Sequence, residues 1–141
     1  MLRQFLVGGG VCVGSIAIHA LIMTLVVVVA RTVSEKKRIH SSLFLIAIMI
    51  PTVVILMAAH TVEVIVWALA YSAVDAVPVG ADPIYFAFVN YTTLGYGDVL
   101  PTPGWRLLGP ITAMNGVLLF GWSTAVIFEV LRRALRRSRD G

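Results

Sequence analysis

No charged residue lies between Arg3 and Arg31, and the stretch from Leu21 to Ala30 is almost wholly aliphatic. At about 1.5 Å of rise per residue, a helix over this interval exceeds the roughly 30 Å of bilayer hydrocarbon. A secretory leader would have a shorter apolar core and a more basic start, so the pattern predicts a retained span. A second apolar run extends from about Leu43 to Tyr71, interrupted by His60 and Glu63, and Pro51 is expected to kink it. A third begins near Trp105 and ends near Leu131, with no formal charge between Arg106 and Glu129. Between the second and third lies a shorter apolar and aromatic run, Ile84 to Tyr91. Asp82 and Pro83 before it read as an N-cap and a first-turn proline. A helix this short cannot cross a bilayer, but it suits a segment that dips in and returns.

Composition supports a membrane chain. The 141 residues are 59% hydrophobic and 13% charged, with three histidines and one cysteine; mean hydropathy is +0.93. Soluble domains carry about 25% charged residues. The net charge of +4 sits in two clusters beside spans: Arg31, Lys36, Lys37 and Arg38, and Arg132 through Arg139. Such clusters report topology rather than nucleic-acid binding. They place the connector and the C-terminus on the cytoplasmic side and the N-terminus outside. Both clusters are candidate contacts for anionic lipid headgroups, and Ser41 or Ser42 is a candidate helix cap. The expected division is 1–31 as an N-terminal span, 32–42 as connector, 43–131 as a core module and 132–141 as a basic tail. Asp75, Asp82 and Asp98 against Arg106 make the opposite mouth acidic, which concentrates cations.

The most informative stretch is Thr92-Thr93-Leu94-Gly95-Tyr96-Gly97-Asp98. A backbone that lines an ion path needs small residues and unusual dihedral angles, which Gly95 and Gly97 supply. Inward-facing carbonyls then replace the hydration shell of a cation. Thr93-Leu94-Gly95-Tyr96-Gly97 resembles the filter of potassium channels, with leucine where valine or isoleucine is usual. The arrangement from Leu43 to Leu131 is similar to the pore module of that family: outer helix, pore helix, filter, inner helix. The resemblance implies an all-α integral membrane protein with three transmembrane helices, a re-entrant pore helix and a selectivity filter. It also implies a homotetramer that passes K⁺ over oxygens of Thr93, Leu94, Gly95 and Tyr96, without another cofactor.

The same resemblance assigns roles around the filter. Thr92, Asp98 and Tyr85 would support it, with Tyr85 bonding Asp98. Gly116 and Gly121 match small positions at which inner helices bend to open. The buried pore-helix glutamate of some members is replaced by Val89. The first span is an addition to the two-helix module, and without an arginine repeat it is not a usual voltage sensor. Leu94 keeps a weakly selective cation channel as an alternative, and a non-conducting regulatory membrane subunit is a second.

Outside the filter, His60, Glu63, Trp67 and Tyr71 share one helix face by their spacing of three and four. Trp67 and Tyr71 suit an interfacial aromatic belt. A carboxylate within a span needs a partner, so Glu63 is expected to face protein. His60 and Glu63 form a candidate pH-sensing or structural pair; as two ligands on one helix they make a weak metal site, and His19 lies in the other uncharged stretch. Gly8-Gly9-Gly10 has no phosphate-loop context. No nucleophile–base constellation is present, so no enzyme is expected.

Overall fold

The computed structural model describes residues 1–36 and 41–139, with side chains at 1–29 and 45–136. Helices α1 (Leu2–Lys36), α2 (Ser41–Ala73) and α4 (Leu108–Arg139) are long; α3 (Pro83–Tyr91) is short, and a 3₁₀ turn at Pro103–Trp105 precedes α4. Segments Leu2–Val29, Leu45–Ala73 and Pro103–Arg136 are long and apolar enough to cross a membrane. The chain is a multi-pass membrane protein, and among the described residues there is no strand.

The helices overrun the lengths expected from the apolar runs. α1 continues to Lys36 and α4 to Arg139, because backbone hydrogen bonding does not stop where hydrophobicity does. Residues 32–36 and 41–42 of the expected connector and 132–139 of the expected tail are therefore helical. α2 is continuous through Pro51. The side chains of Lys36, Lys37, Arg38, Ser41, Ser42, Arg137 and Arg139 lie outside the described residues, and so do the roles expected of them.

α1 packs on α2 and α4, and α3 is held against α2 and α4. At one end, the Gln4 side chain accepts a bond from the Leu107 amide, and the Arg3 guanidinium stacks 4.1 Å from the Trp105 ring centroid. Further along, His19 reaches Ser123, so α1 and α4 run in the same direction. Tyr71 pairs with Thr112 and Trp67 with Asn115, so α2 runs opposite to them. The C-terminal ends of α1 and α4 consequently fall at the same end of the bundle.

Two apolar clusters occupy the interior. Trp67, Tyr71, Phe86, Tyr91, Leu108 and Ile111 form one beside α3. Met23, Leu56, Ala59, Val126 and Val130 form the other toward the basic end. Between them, α1, α2 and α4 each place polar side chains: His19, His60 and Glu63, and Ser123.

Trp67 and Tyr71 do not form the expected interfacial belt. Both are fully buried. The Trp67 indole donates to Asn115 Oδ1 at 2.9 Å. The Tyr71 hydroxyl meets Thr112 Oγ1 at 2.5 Å, and Thr112 in turn donates to the Leu108 carbonyl. Belt and core place the same demand on Trp and Tyr, an apolar body with a partnered polar tip, and here α4 provides the partners. Trp67→Phe is expected to lower stability by about 1–3 kcal/mol, since it leaves the buried Asn115 oxygen unpaired. Thermal unfolding in detergent measures this directly.

Candidate functional site

The glycine-containing stretch starts at the end of α3. Asp82 caps the helix by accepting from the Ile84 amide at 2.8 Å, with Pro83 at the first position. At the other end, the Leu94 amide donates to the Val89 carbonyl and the Thr93 amide to that of Asn90, both at 3.0 Å. This pair of bonds is a Schellman cap. It requires a left-handed residue at the position after the cap, normally glycine; here Thr93 takes it, at φ 59°. A β-branched residue pays about 1–2 kcal/mol for that conformation. Strain of this kind concentrates at functional sites.

Left-handed backbone recurs at Gly95 (φ 60°) and Gly97 (φ 76°), while Leu94 and Tyr96 between them are not left-handed. In a regular strand successive carbonyls point to opposite sides. Alternating the sign of φ turns them toward one side instead. The whole run Thr92–Asp98 is exposed, Leu94 at 54%. Tyr85 donates to Asp98 Oδ2 at 2.7 Å across the stretch. That bond, with the carboxylate charge, pushes the exposed Tyr85 phenol above its ordinary range and keeps it a donor.

Behind α3 lies the polar layer. Glu63 and His19 are fully buried. Glu63 Oε1 is 2.7 Å from His19 Nδ1, and Glu63 Oε2 is 3.0 Å from His60 Nδ1. The Tyr91 hydroxyl donates to Oε2 through a short bond and lies 2.9 Å from His60 Nδ1. His60 Nε2 is 2.9 Å from Ser123 Oγ, which is 3.4 Å from His19 Nε2. Phe120 packs on both His60 and Tyr91. Four helices thus contribute to one cluster. Tyr91 is the last residue of α3, so the cluster adjoins the start of the glycine-containing stretch.

Three of these residues, His19, His60 and Glu63, have metal-ligand atoms within 4.8 Å of one another. Both imidazole Nδ1 atoms and both carboxylate oxygens are already engaged in side-chain hydrogen bonds.

Sequence spacing pairs His60 with Glu63, whereas the structure adds His19, Tyr91 and Ser123. The last two gave no local signal: Tyr91 is 28 residues from Glu63, and Ser123 is 63 from His60. The two small positions on α4 differ sharply. A Cβ at Gly121 meets open space; one at Gly116 would sit 3.0 Å from the Tyr91 carbonyl carbon and closer still to its oxygen.

A family described as "Ion channel" matches residues 59–133, more than half of the chain. No curated protein matches the chain, and neither does a solved structure.

Proposed function

The chain belongs to the ion channel family, which is a family of conduits rather than catalysts, and from that membership we propose that it is a passive potassium-selective channel. The observation that carries the reading is the alternation of left-handed backbone at Thr93, Gly95 and Gly97 in an exposed stretch. Carbonyls on one side of such a stretch, repeated around an axis in a homotetramer, form stacked oxygen rings that replace a cation's hydration shell. K⁺ sits on oxygens of Thr93, Leu94, Gly95 and Tyr96. In this reading α3 is a re-entrant pore helix, α2 the outer helix and α4 the inner helix. Thr92, Tyr85 and Asp98 brace the filter. The N-terminus lies outside, and both basic ends face the cytoplasm and its anionic lipid. Arg132 and Arg133 are bonded to Glu129, so at the described end of α4 the exposed Arg136 is the better placed for headgroups.

Gly116 and Gly121 remain the proposed bending points of α4. Because only Gly121 has room for a methyl group, Gly121→Ala is the substitution that tests bending without disturbing packing.

Reversal potentials of purified protein in bilayers, with K⁺ on one side and Na⁺ on the other, test the proposal. The expected value lies far from zero, on the side that opposes K⁺ flow. A reversal near zero with both ions carrying current replaces this reading with a weakly selective cation channel, the alternative that Leu94 keeps open. Folded tetramer with no current at all leaves the non-conducting subunit.

A further inference from the structure

We infer that His19, His60, Glu63, Tyr91 and Ser123 form a buried binding site for one proton, held in addition to those of an ionised glutamate and two neutral histidines. The argument is a count of protons against contacts. Five contacts close a circuit: Glu63 Oε1 with His19 Nδ1, His19 Nε2 with Ser123 Oγ, Ser123 Oγ with His60 Nε2, His60 Nδ1 with Glu63 Oε2, and the Tyr91 hydroxyl with Glu63 Oε2. The Tyr91 oxygen near His60 Nδ1 shares the proton of the fourth contact. Each contact consumes one proton. With Glu63 ionised and both imidazoles neutral, the two imidazole N–H groups, the serine and the tyrosine supply four. The fifth resides either on an imidazole or on the Glu63 carboxyl, and both placements satisfy the whole circuit.

Charge leads to the same count. Among the described residues, no other titratable side chain is bonded to any member: α1 provides His19, α2 His60 and Glu63, α3 Tyr91 and α4 the neutral Ser123, with the Trp122 and Phe120 rings packed on the imidazoles. With four protons the cluster would carry an uncompensated negative charge between two apolar clusters, in the middle of spans. Such a charge is costly there. The fifth proton makes the cluster neutral. His60 offers the path in and out: its side chain is 15% exposed, against 0% for His19 and Glu63. It lines a cavity of about 180 Å³ together with Tyr91 and Thr92.

The site also makes α1 a working part of the module. His19 closes the circuit from α1, and the circuit fixes the Tyr91 hydroxyl at the end of α3. The consequence for ion passage rests on the channel reading above; the proton count does not.

The test is solid-state NMR of ¹⁵N,¹³C-labelled protein in bilayers at neutral pH, with His19→Gln and His60→Gln spectra used for assignment. Summed over both imidazoles and the Glu63 carboxyl, three protons are expected. Two protons, with both imidazoles neutral and Glu63 ionised, would overturn the site, and so would four. Glu63→Gln supplies an independent check. Its amide N–H occupies the place of the extra proton, so all five contacts close with both histidines neutral. Its unfolding midpoint is expected near that of the wild type, while Glu63→Ala is expected to lose most of the folded assembly. A Glu63→Gln midpoint as low as that of Glu63→Ala would refute the count. Stoichiometric movement of the histidine resonances on adding micromolar zinc to metal-free protein would also overturn it, making the cluster a metal site. None of these readouts uses current, so a failed potassium-selectivity measurement leaves the result intact.

Discussion

Gly95→Ala is expected to give a protein that folds, inserts and assembles but passes no K⁺ current. Gly95 holds φ 60°, and the nearest atom to an added Cβ is the Thr93 carbonyl oxygen at 3.8 Å, an ordinary contact. Space is therefore not the obstacle. An L-residue pays about 1–2 kcal/mol for left-handed backbone, and in a fourfold arrangement every chain pays it at the same level of the stack. The segment has little packing within its own chain to hold the unfavourable angle, since Thr92–Asp98 is exposed throughout. Relaxation to negative φ turns a peptide plane and takes its carbonyl off the proposed ion path. Single-channel recording beside size-exclusion of the tetramer measures both halves of the prediction. D-alanine introduced at position 95 by semisynthesis favours positive φ and is expected to restore current. Wild-type current in the L-alanine variant would show that the conformation of Gly95 does not matter to conduction.

Much of the fold could be read from single stretches of chain. The three apolar intervals, the Asp82 cap and the Pro83 start of the short helix are local properties, and each is present at its expected place. The errors arose where the decision was not local. Trp67 and Tyr71 carry the same amphipathic side chains whether they face headgroups or the interior, and only the register of α4 brings Asn115 and Thr112 against them. α1 and α4 extend past the apolar intervals because charge marks the edge of the hydrocarbon, not the end of a helix. Glu63 announces a partner by its cost in a span, but spacing pairs it only with its helical neighbour His60 and leaves His19 in another span without a measure of its distance. The contribution from α1 is fixed by parallel packing of α1 on α4, which brings His19 to Ser123 across 104 residues. The left-handed Thr93 was hidden because threonine is an unexpected residue for that cap position. The resemblance at Thr93 to Gly97 carries information of a different kind, since it rests on a specific string rather than on periodicity.

Gly116→Ala is expected to do more damage than any other single methyl addition on α4. The helix is continuous through this residue, and the missing side chain admits the Tyr91 carbonyl. The methyl group would be 3.0 Å from that carbonyl carbon and nearer to the oxygen, with the Tyr91 ring at 3.3 Å. A flexible side chain could swing aside, as Ile111 can at Gly8, where the added Cβ meets side-chain atoms at 3.0 Å. The obstacle at Gly116 is backbone at the end of α3, pinned from its other side by the Tyr91 bonds to Glu63 and His60. Either α4 moves outward or Tyr91 leaves the polar layer and takes the start of the Thr92–Asp98 run with it. Overpacking of a well-filled interior costs about 1–3 kcal/mol, and rigid backbone places this case at the upper end. Expected results are a fall in the unfolding midpoint, altered chemical shifts at His60 and Tyr91, and loss of open-state current. Gly121→Ala, which meets open space, is expected to leave the midpoint unchanged, so any change in its opening measures the bending of α4 alone. If Gly116→Ala keeps the wild-type midpoint while opening is lost, the close approach is tolerated and the hinge reading of Gly116 takes precedence over packing.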